Sequence, residues 1–281
     1  MAARVRKPGA LALAASLAFG MPVAASSQEA AAPFRIGMIA PPGEGFAAME
    51  RAFSEALGTT VEVVVAGSYA ELMEAQISRR VDYALYSASA YAAASIRCEC
   101  LRPVAAPVAA SGAEGLRSAL IVRRPAGGEA GGPARVAIGP ADSLATRLAP
   151  LAFWEEANRM RAEGRLVEAG SAGEAEAMFL RGAVDGFFGW VPARAQDDGA
   201  APAGGSVARL RAAGASAADY EIGWLSPLLR HGPHAVRADM PQERIDALLA
   251  VLGREGGGLV AVSQDDYAAV TEALRALGGG G

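Results

Sequence analysis

The chain has 281 residues, of which 52% are hydrophobic and 20% are charged, and its formal net charge is −4. A chain of this length and composition folds into one or two globular domains with a sizeable core. The negative balance and the lack of a basic stripe argue against nucleic acid as a partner, because binding phosphates requires several Lys or Arg side chains.

The N-terminal segment has the three parts of a secretory signal peptide. The basic residues Arg4, Arg6 and Lys7 precede an apolar run that is too short to span a bilayer, and small residues follow. We predict a signal peptide over residues 1–25 and a mature chain in the periplasm. Cleavage removes three positive charges and no negative ones, which takes the formal charge from −4 to −7. No later apolar run reaches the roughly 18 residues that a membrane helix needs.

From Phe34 onward, short apolar runs alternate with amphipathic runs of helical length. Strands separated by helices predict parallel β-α-β units with right-handed crossovers. In this first set, strands are predicted at residues 34–40, 61–66, 81–87 and 102–108, and helices at 46–57, 69–78 and 88–95.

The same alternation returns in the second half of the chain. Strands are predicted at residues 118–124, 134–139, 165–170, 183–190, 220–226 and 234–238, and helices at 144–161, 173–181, 242–252 and 264–277. Two such sets predict two lobes with a cleft between them. Open α/β sheets bind ligands at the carboxyl ends of their strands. The predicted site loops are therefore residues 41–45, 67–69, 87–91, 140–146 and 186–190.

Taken in this order, the chain resembles the periplasmic solute-binding proteins of the type II fold, in the phosphate- and phosphonate-binding branch that serves ABC importers. The matching segments are "FRIGMIA", "SYAELMEAQISRRVDYALYSASAY", "GAEGLRSALIVRR", "VAIGPADSLATRLAP", "AGSAGEAEAMFLRGAVDGFFGW" and "IGWLSPLLRHGPHAVRADMP". The resemblance implies an α/β fold with a ligand cleft between two lobes joined by two hinge crossings. We expect lobe 1 at residues 33–115 and 227–281, lobe 2 at 116–226, and the crossings near 116–123 and 224–229.

The resemblance implies a monomeric binding protein that captures a small molecule and delivers it to an ABC transporter permease. It implies no cofactor, and no motif typical of catalysis is found. The family's tyrosine and acidic ligand residues match Tyr69 and Asp185. The other side chains that we expect at the cleft are Ser68, Ser87, Tyr91, Leu116, Ser143, Thr146, Ser171 and Phe188.

Three positions depart from the family's pattern. The hydroxyl-rich turn that grips the phosphonate is Ser143-Leu144-Ala145-Thr146 here, Leu116 stands in place of a tyrosine, and Ser171 in place of a histidine. Since a phosphonate needs several charge-assisted hydrogen bonds, these changes predict a more apolar cleft with another ligand. A true phosphate or phosphonate binder, and a sensor whose partner is a membrane kinase, stay open as alternatives.

The cysteines and histidines suggest one further alternative. Cys98 and Cys100 could form a disulfide in an oxidising compartment. Together with His231 and His234, the only two histidines, they could instead form a Cys2His2 metal site, with zinc or copper as the candidate ions.

Overall fold

The computed structural model describes residues 32–40, 45–124, 132–194, 204–254 and 258–278, so the predicted signal peptide lies outside the described residues. The strands are β1 (Phe34–Ile39), β2 (Val61–Ala66), β3 (Tyr83–Leu85), β4 (Leu101–Val108), β5 (Gly115–Arg123), β6 (Val136–Ile138), β7 (Leu166–Glu168), β8 (Gly186–Ala193), β9 (Tyr220–Leu225), β10 (Leu229–Arg230), β11 (His234–Arg237) and β12 (Gly258–Ala261). The helices are α1 (Ala47–Leu57), α2 (Tyr69–Ile77), α3 (Ala88–Arg97), α4 (Ala149–Phe153), α5 (Glu155–Ala162), α6 (Ala172–Leu180), α7 (Gly205–Ala212), α8 (Gln242–Leu252) and α9 (Ala268–Gly278).

The strands form two sheets. The first sheet has the order β12-β4-β11-β3-β1-β2, and the second has the order β10-β5-β8-β6-β7, with β9 also paired to β5. Strands β1, β2 and β3 are parallel, as are β6, β7 and β8. Each sheet thus contains the parallel β-α-β core that the alternating pattern predicts.

Two segments connect the sheets. Residues 109–114 lead from β4 to β5, and residues 231–233 lead from β10 to β11. The hinge segments predicted near 116–123 and 224–229 lie instead within the second sheet, because β5 pairs with β8, β9 and β10 along its whole length. The crossings therefore lie a few residues outside the predicted segments.

Apolar layers cover both faces of the first sheet. Phe34, Ile36 and Tyr83 face α1 and α8 and form one buried cluster. On the opposite face, Leu72 and Ala84 belong to a second cluster that also includes residues of α3 and α9. This second cluster extends to Ala149 of α4 and Leu229 of β10, so apolar packing is continuous between the two sheets near the crossings.

The prediction of one continuous helix over residues 144–161 is wrong, because the helix is interrupted in this segment. A π-helical turn, Leu144–Leu148, leads into α4, and Trp154 then adopts an extended backbone with φ −133° and ψ 105° before α5 begins. The Trp154 ring stacks on Trp224 and meets Phe188 edge-on. Packing of this ring therefore accompanies a kink that the amphipathic pattern does not reveal.

The two sheets contain an internal repeat. Residues 67–83, "GSYAELMEAQISRRVDY", align without gaps with residues 170–186, "GSAGEAEAMFLRGAVDG". Both segments form the same turn, helix and turn between two strands. Arg79 and Gly182 occupy the same place in the repeat and both have left-handed backbones, with φ of 63° and 73°. Within the described residues, no helix is long and apolar enough to cross a membrane.

Candidate functional site

The carboxyl ends of β1, β2, β3 and β4 lie at one edge of the first sheet, because these strands run in one direction and β11 runs in the other. Both crossings also meet this edge, one at the end of β4 and one at the start of β11. In the second sheet, the carboxyl ends of β6, β7 and β8 share an edge with the start of β5 and the end of β10, where the crossings arrive. These two edges form the candidate cleft.

Tyr69 presents an exposed ring at the edge of the first sheet. It is the first residue of α2, directly after the loop that follows β2, and it is 41% exposed. Its ring stacks on the buried ring of Tyr86 at the end of β3, with ring centroids 6.4 Å apart. An exposed aromatic side chain held against a buried one is suited to contact a ligand.

The predicted serines at this edge are helix caps. The Oγ atom of Ser68 accepts a hydrogen bond from the N–H of Glu71 at 3.2 Å, and the Oγ atom of Ser87 accepts one from the N–H of Ala90 at 3.2 Å. Each serine thus satisfies one of the free N–H groups at the start of its helix.

Tyr91 is a core residue. It is completely buried, and its hydroxyl donates to Oε1 of Gln264 at 2.6 Å. Its ring meets the buried ring of Tyr267 edge-on. Burial raises the pKa of the Tyr91 hydroxyl. Helix α3 thus directs this side chain toward the C-terminal segment, and a role for Tyr91 at the cleft stays a prediction.

The hydroxyl groups of Ser143 and Thr146, both predicted at the cleft, form a hydrogen bond with each other. The Oγ atom of Ser143 accepts hydrogen bonds from the Thr146 N–H, at 3.4 Å, and from the Thr146 hydroxyl, at 2.6 Å. Thr146 is buried and packs so closely against Gly139 that a Cβ at residue 139 would collide with it. The Thr146 hydroxyl is therefore committed to the helix start as a donor, whereas Ser143 serves there only as an acceptor.

At the edges of both sheets, a glycine N–H group is bound by a glutamate side chain of the protein itself. The N–H of Gly67 donates to Oε2 of Glu71 at 2.8 Å, and the N–H of Gly170 donates to Oε2 of Glu174 at 2.7 Å. Ser171 repeats the role of Ser68, because its Oγ accepts from the N–H of Glu174 at 3.1 Å. Two backbone donors that an anion could use are thus bound by the protein's own carboxylates.

Leu116 and Phe188 both face apolar surroundings. Leu116 pairs with Leu229 at the crossings and packs against the core cluster of the first sheet. Phe188 is completely buried beneath the second sheet, with Trp154 against its ring. Phe188 thus belongs to a buried cluster, and its predicted contact with a ligand stays a prediction.

Asp185 lies at the start of β8, away from the candidate cleft. Its Oδ2 accepts a hydrogen bond from the N–H of Arg135 at 2.9 Å, and its own N–H donates to the carbonyl of Arg135 at 2.9 Å. Asp82, its counterpart in the repeat, makes the same two bonds with Arg35, at 2.8 and 2.9 Å. Asp82 and Asp185 thus make the same bonds at strand starts, one in each sheet, and a ligand role for Asp185 stays a prediction.

The metal-site alternative is contradicted by the structure. Cys98 and Cys100 form a disulfide, so neither offers a thiolate. His234 is buried, with Nδ1 2.6 Å from the Tyr83 hydroxyl, and burial lowers its pKa to about 4. Burial likewise lowers the pKa of His231. Across the described ranges, no group of three or more His, Cys, Asp or Glu side chains could hold a metal ion.

Ion pairs tie the crossings to the C-terminal segment. The guanidinium of Arg230, at the end of β10, binds the carboxylate of Glu114, and its Nε lies 3.2 Å from Oδ1 of Asp266. The hydroxyl of Tyr267 donates to the carbonyl of His231 at 2.7 Å, and the N–H of His231 donates to the carbonyl of Glu114 at 3.2 Å. Both crossings are thus joined to each other and to the turn before α9.

Comparison with known proteins identifies the family. The profile of the family described as "ABC transporter, phosphonate, periplasmic substrate-binding protein" matches residues 43–277. The chain belongs to this family. The predicted resemblance is confirmed, and the family's proteins are periplasmic and serve ABC transporters. No curated protein matches the chain significantly.

Solved structures share the fold at low sequence identity. The protein XAC2383 from Xanthomonas citri bound to chloride ion is 13% identical, with 86% of this chain and 99% of that chain covered and a TM-score of 0.55. Its structure bound to ATP is 15% identical, with 86% and 98% covered and a TM-score of 0.54. PhnD1 from Prochlorococcus marinus in complex with methylphosphonate is 14% identical, with 87% and 98% covered and a TM-score of 0.50. The predicted two-lobed α/β fold class is confirmed.

Sequence reasoning missed the two glutamates that occupy the glycine N–H groups. The signal was present, since "GSYAE" and "GSAGE" carry the same glycine, serine and glutamate at matching places in the repeat. The cluster of Arg230, Glu114 and Asp266 gave no comparable signal, because its members are separated by 36 or more residues.

Proposed function

We propose that the mature chain captures a small molecule in the cleft between its lobes and delivers it to an ABC importer permease, without catalysing a reaction. We also propose that this cleft takes a ligand other than a phosphonate dianion, and that the ligand has an apolar part. Family membership supports the first proposal. The occupied donors at the cleft edges support the second.

The observation that carries the choice of ligand is the closed hydroxyl pair at Ser143 and Thr146. A buried dianion loses its hydration and needs several hydrogen bonds, each contributing about 1.5–3 kcal/mol when one partner is charged. The N–H and the hydroxyl of Thr146 already donate to Ser143, so the Ser143 hydroxyl is the one side-chain donor left in this pair. The N–H groups of Gly67 and Gly170 are bound by glutamate carboxylates, which would also repel an anion. Too few donors are left to offset dehydration of a phosphonate.

Apolar side chains take the place of those donors. Leu144, in the turn between the two hydroxyls, packs with Leu116 and Phe153 against the core cluster of the first sheet. These contacts extend across the region where the two lobes approach each other. An apolar surface of this kind favours a ligand that buries hydrocarbon, at about 25 cal/mol per Å² of area removed from water.

Periplasmic location is supported by the basic and apolar segments at residues 1–25 and by the family's own location. The charge of −4 supports a partner other than nucleic acid. We expect the protein to be a monomer, with lobe boundaries close to the predicted residues 115 and 227.

A thermal-shift panel tests this proposal. The mature protein is heated with methylphosphonate, inorganic phosphate, and neutral and cationic molecules that carry alkyl or aromatic groups. A ligand at 100 times its Kd adds about 2.7 kcal/mol to stability, which moves the midpoint by several degrees. We expect a shift with apolar-bearing molecules and none with methylphosphonate. A shift with methylphosphonate alone would contradict the altered cleft and favour a true phosphonate binder.

A paired variant sharpens the panel. Leu144→Thr with Ala145→Ser restores hydroxyls to the turn, whereas Leu180→Thr adds a hydroxyl to an exposed leucine on α6, outside the turn. If missing donors decide the specificity, the first variant gains affinity for methylphosphonate and the second does not. Equal behaviour of the two variants would count against the turn as the determinant.

A further inference from the structure

Exposed apolar side chains cluster at one edge of the first sheet. Among the described residues, seven large apolar side chains are more than 40% exposed, and four of them follow or end neighbouring parallel strands. These four are Ile39 at 41%, Val65 at 47%, Tyr69 at 41% and Leu85 at 45%. Val65 and Leu85 share one face of the sheet, whereas Ile39 and the Tyr69–Tyr86 pair lie on the other face. Contiguous exposed apolar surface on a soluble protein marks a binding site more often than scattered residues do.

Strand register places three apolar side chains in one row. Met38 of β1 lies beside Val65 of β2, and the pairing of Gly37 with Ala84 brings Leu85 of β3 to the other side of Met38. Side chains two residues apart share a face of a sheet. Met38, Val65 and Leu85 therefore lie on one face, in a row that we call the apolar rim row.

The apolar rim row lies on the face of the sheet that α1 and α8 cover, one row beyond the residues that these helices bury. On the same face, the preceding row of Ile36, Val63 and Tyr83 packs in the cluster beneath α1 and α8. The apolar rim row is the next row toward the carboxyl ends, where open α/β sheets bind their ligands. The exposure of Val65 and Leu85 thus coincides with the candidate cleft, and Met38 lies half-buried between them.

A second copy of the chain is a poorer occupant than a ligand. Strand β2 is the outer strand of this sheet, but two of its outward N–H groups are already bound by α1. The N–H of Val61 donates to Oγ of Ser54 and that of Val63 donates to Oε1 of Glu50, both at 3.0 Å. Pairing with another strand needs those donors free.

We infer that the apolar rim row is the subsite that binds the hydrocarbon part of the transported molecule. This inference rests on the proposed function and adds the substrate class: a small molecule with an alkyl chain or ring attached to a polar group. The hydrocarbon lies on Val65, Met38 and Leu85, near the carboxyl ends of their strands.

The test uses homologous probes with three head groups. Alkylphosphonates, primary alkylamines and primary alcohols, each with ethyl, butyl and hexyl chains, are titrated into the mature protein by calorimetry. The test variant is Val65→Ser with Leu85→Ser. The matched control is Leu180→Ser with Leu225→Ser, which removes two leucines that are 41% and 42% exposed outside this edge.

We expect affinity to rise about fourfold for each added methylene group that is buried. This increase of affinity with chain length should persist in the control variant and disappear in the test variant. The head group that binds best reports on the proposed function, whereas dependence on chain length reports on the subsite, so the two can fail separately.

Three results would overturn the inference. One is affinity that does not change with chain length for any head group. Another is chain-length dependence that survives in the test variant, or that the control also loses. The third is an absence of binding by every hexyl probe at its solubility limit. A dimer that dissociates in the test variant, with probe affinity unchanged, would assign the row to a second copy instead.

Discussion

Protonation of His234 should destabilise the protein in mild acid. Its ring lies parallel to that of Tyr83, with an interplanar angle of 12°, and its Nδ1 lies 2.6 Å from the Tyr83 hydroxyl. Burial raises the pKa of Tyr83, so the hydroxyl keeps its proton and shares this hydrogen bond with a neutral imidazole. Burial lowers the pKa of His234 to about 4. A protonated His234 would place a positive charge in this buried site, which is the cause of the lowered pKa.

The size of the effect follows from the two pKa values. In the unfolded chain His234 takes up a proton near its ordinary pKa of about 6.5, whereas in the folded protein it does so only near 4. Between these values the unfolded chain binds more protons, so the free energy of unfolding falls as the pH falls from 6.5 to 4. Between pH 7 and pH 5 the loss is about 2 kcal/mol.

Urea unfolding at pH 7 and pH 5 measures this loss. The wild type should lose about 2 kcal/mol from His234 alone, and His234→Gln should lose much less, since glutamine can accept the Tyr83 hydroxyl without titrating. The control is His231→Gln, which removes the only other histidine. His231→Gln should keep most of the loss. Equal pH dependence in the wild type and in His234→Gln would refute the argument.

Three further predictions follow from the site geometry. Asp82→Asn and Asp185→Asn should each lower the free energy of unfolding by about 1–3 kcal/mol. Neither variant should change the affinity for the probes. A loss of affinity in Asp185→Asn alone would indicate that Asp185 contacts the ligand. Ser143→Ala should cost about 1 kcal/mol as a lost cap in thermal unfolding, whereas an unchanged midpoint would separate Ser143 from the helix start. Arg230→Gln should loosen the crossings, because it removes both ion pairs; small-angle scattering should then detect a larger radius of gyration, and an unchanged radius would count against this cluster as a hinge clamp.

The parallel β-α-β units could be predicted because their signals are local. Runs such as "VEVVVA" and "FRIGMIA" are strands in the structure within one residue of the predicted ends. Strands β10 and β12 were missed, since two and four residues give no period to recognise. Each is held by pairing with a distant strand, β5 or β4, and not by its own pattern.

The site was harder to predict than the fold, because its contacts join distant parts of the chain. Tyr91 is directed into the core by Gln264, 173 residues away, which no local pattern reveals. Asp185 is a different case. Its likeness to Asp82 within the repeat was readable in the sequence, and that likeness indicates a structural aspartate in both lobes. A family's ligand residue should therefore be transferred only after internal repeats have been compared.

If the protein keeps the family's fold with a cleft that no longer suits a phosphonate dianion, the mature wild-type protein should not bind methylphosphonate in a calorimetric titration. The closed pair of Ser143 and Thr146 and the occupied N–H groups of Gly67 and Gly170 predict no saturable binding up to roughly 1 mM, which corresponds to a binding free energy weaker than about −4 kcal/mol. Saturable binding with a Kd in the micromolar range would contradict the claim, because it would require these donors to be released to the ligand.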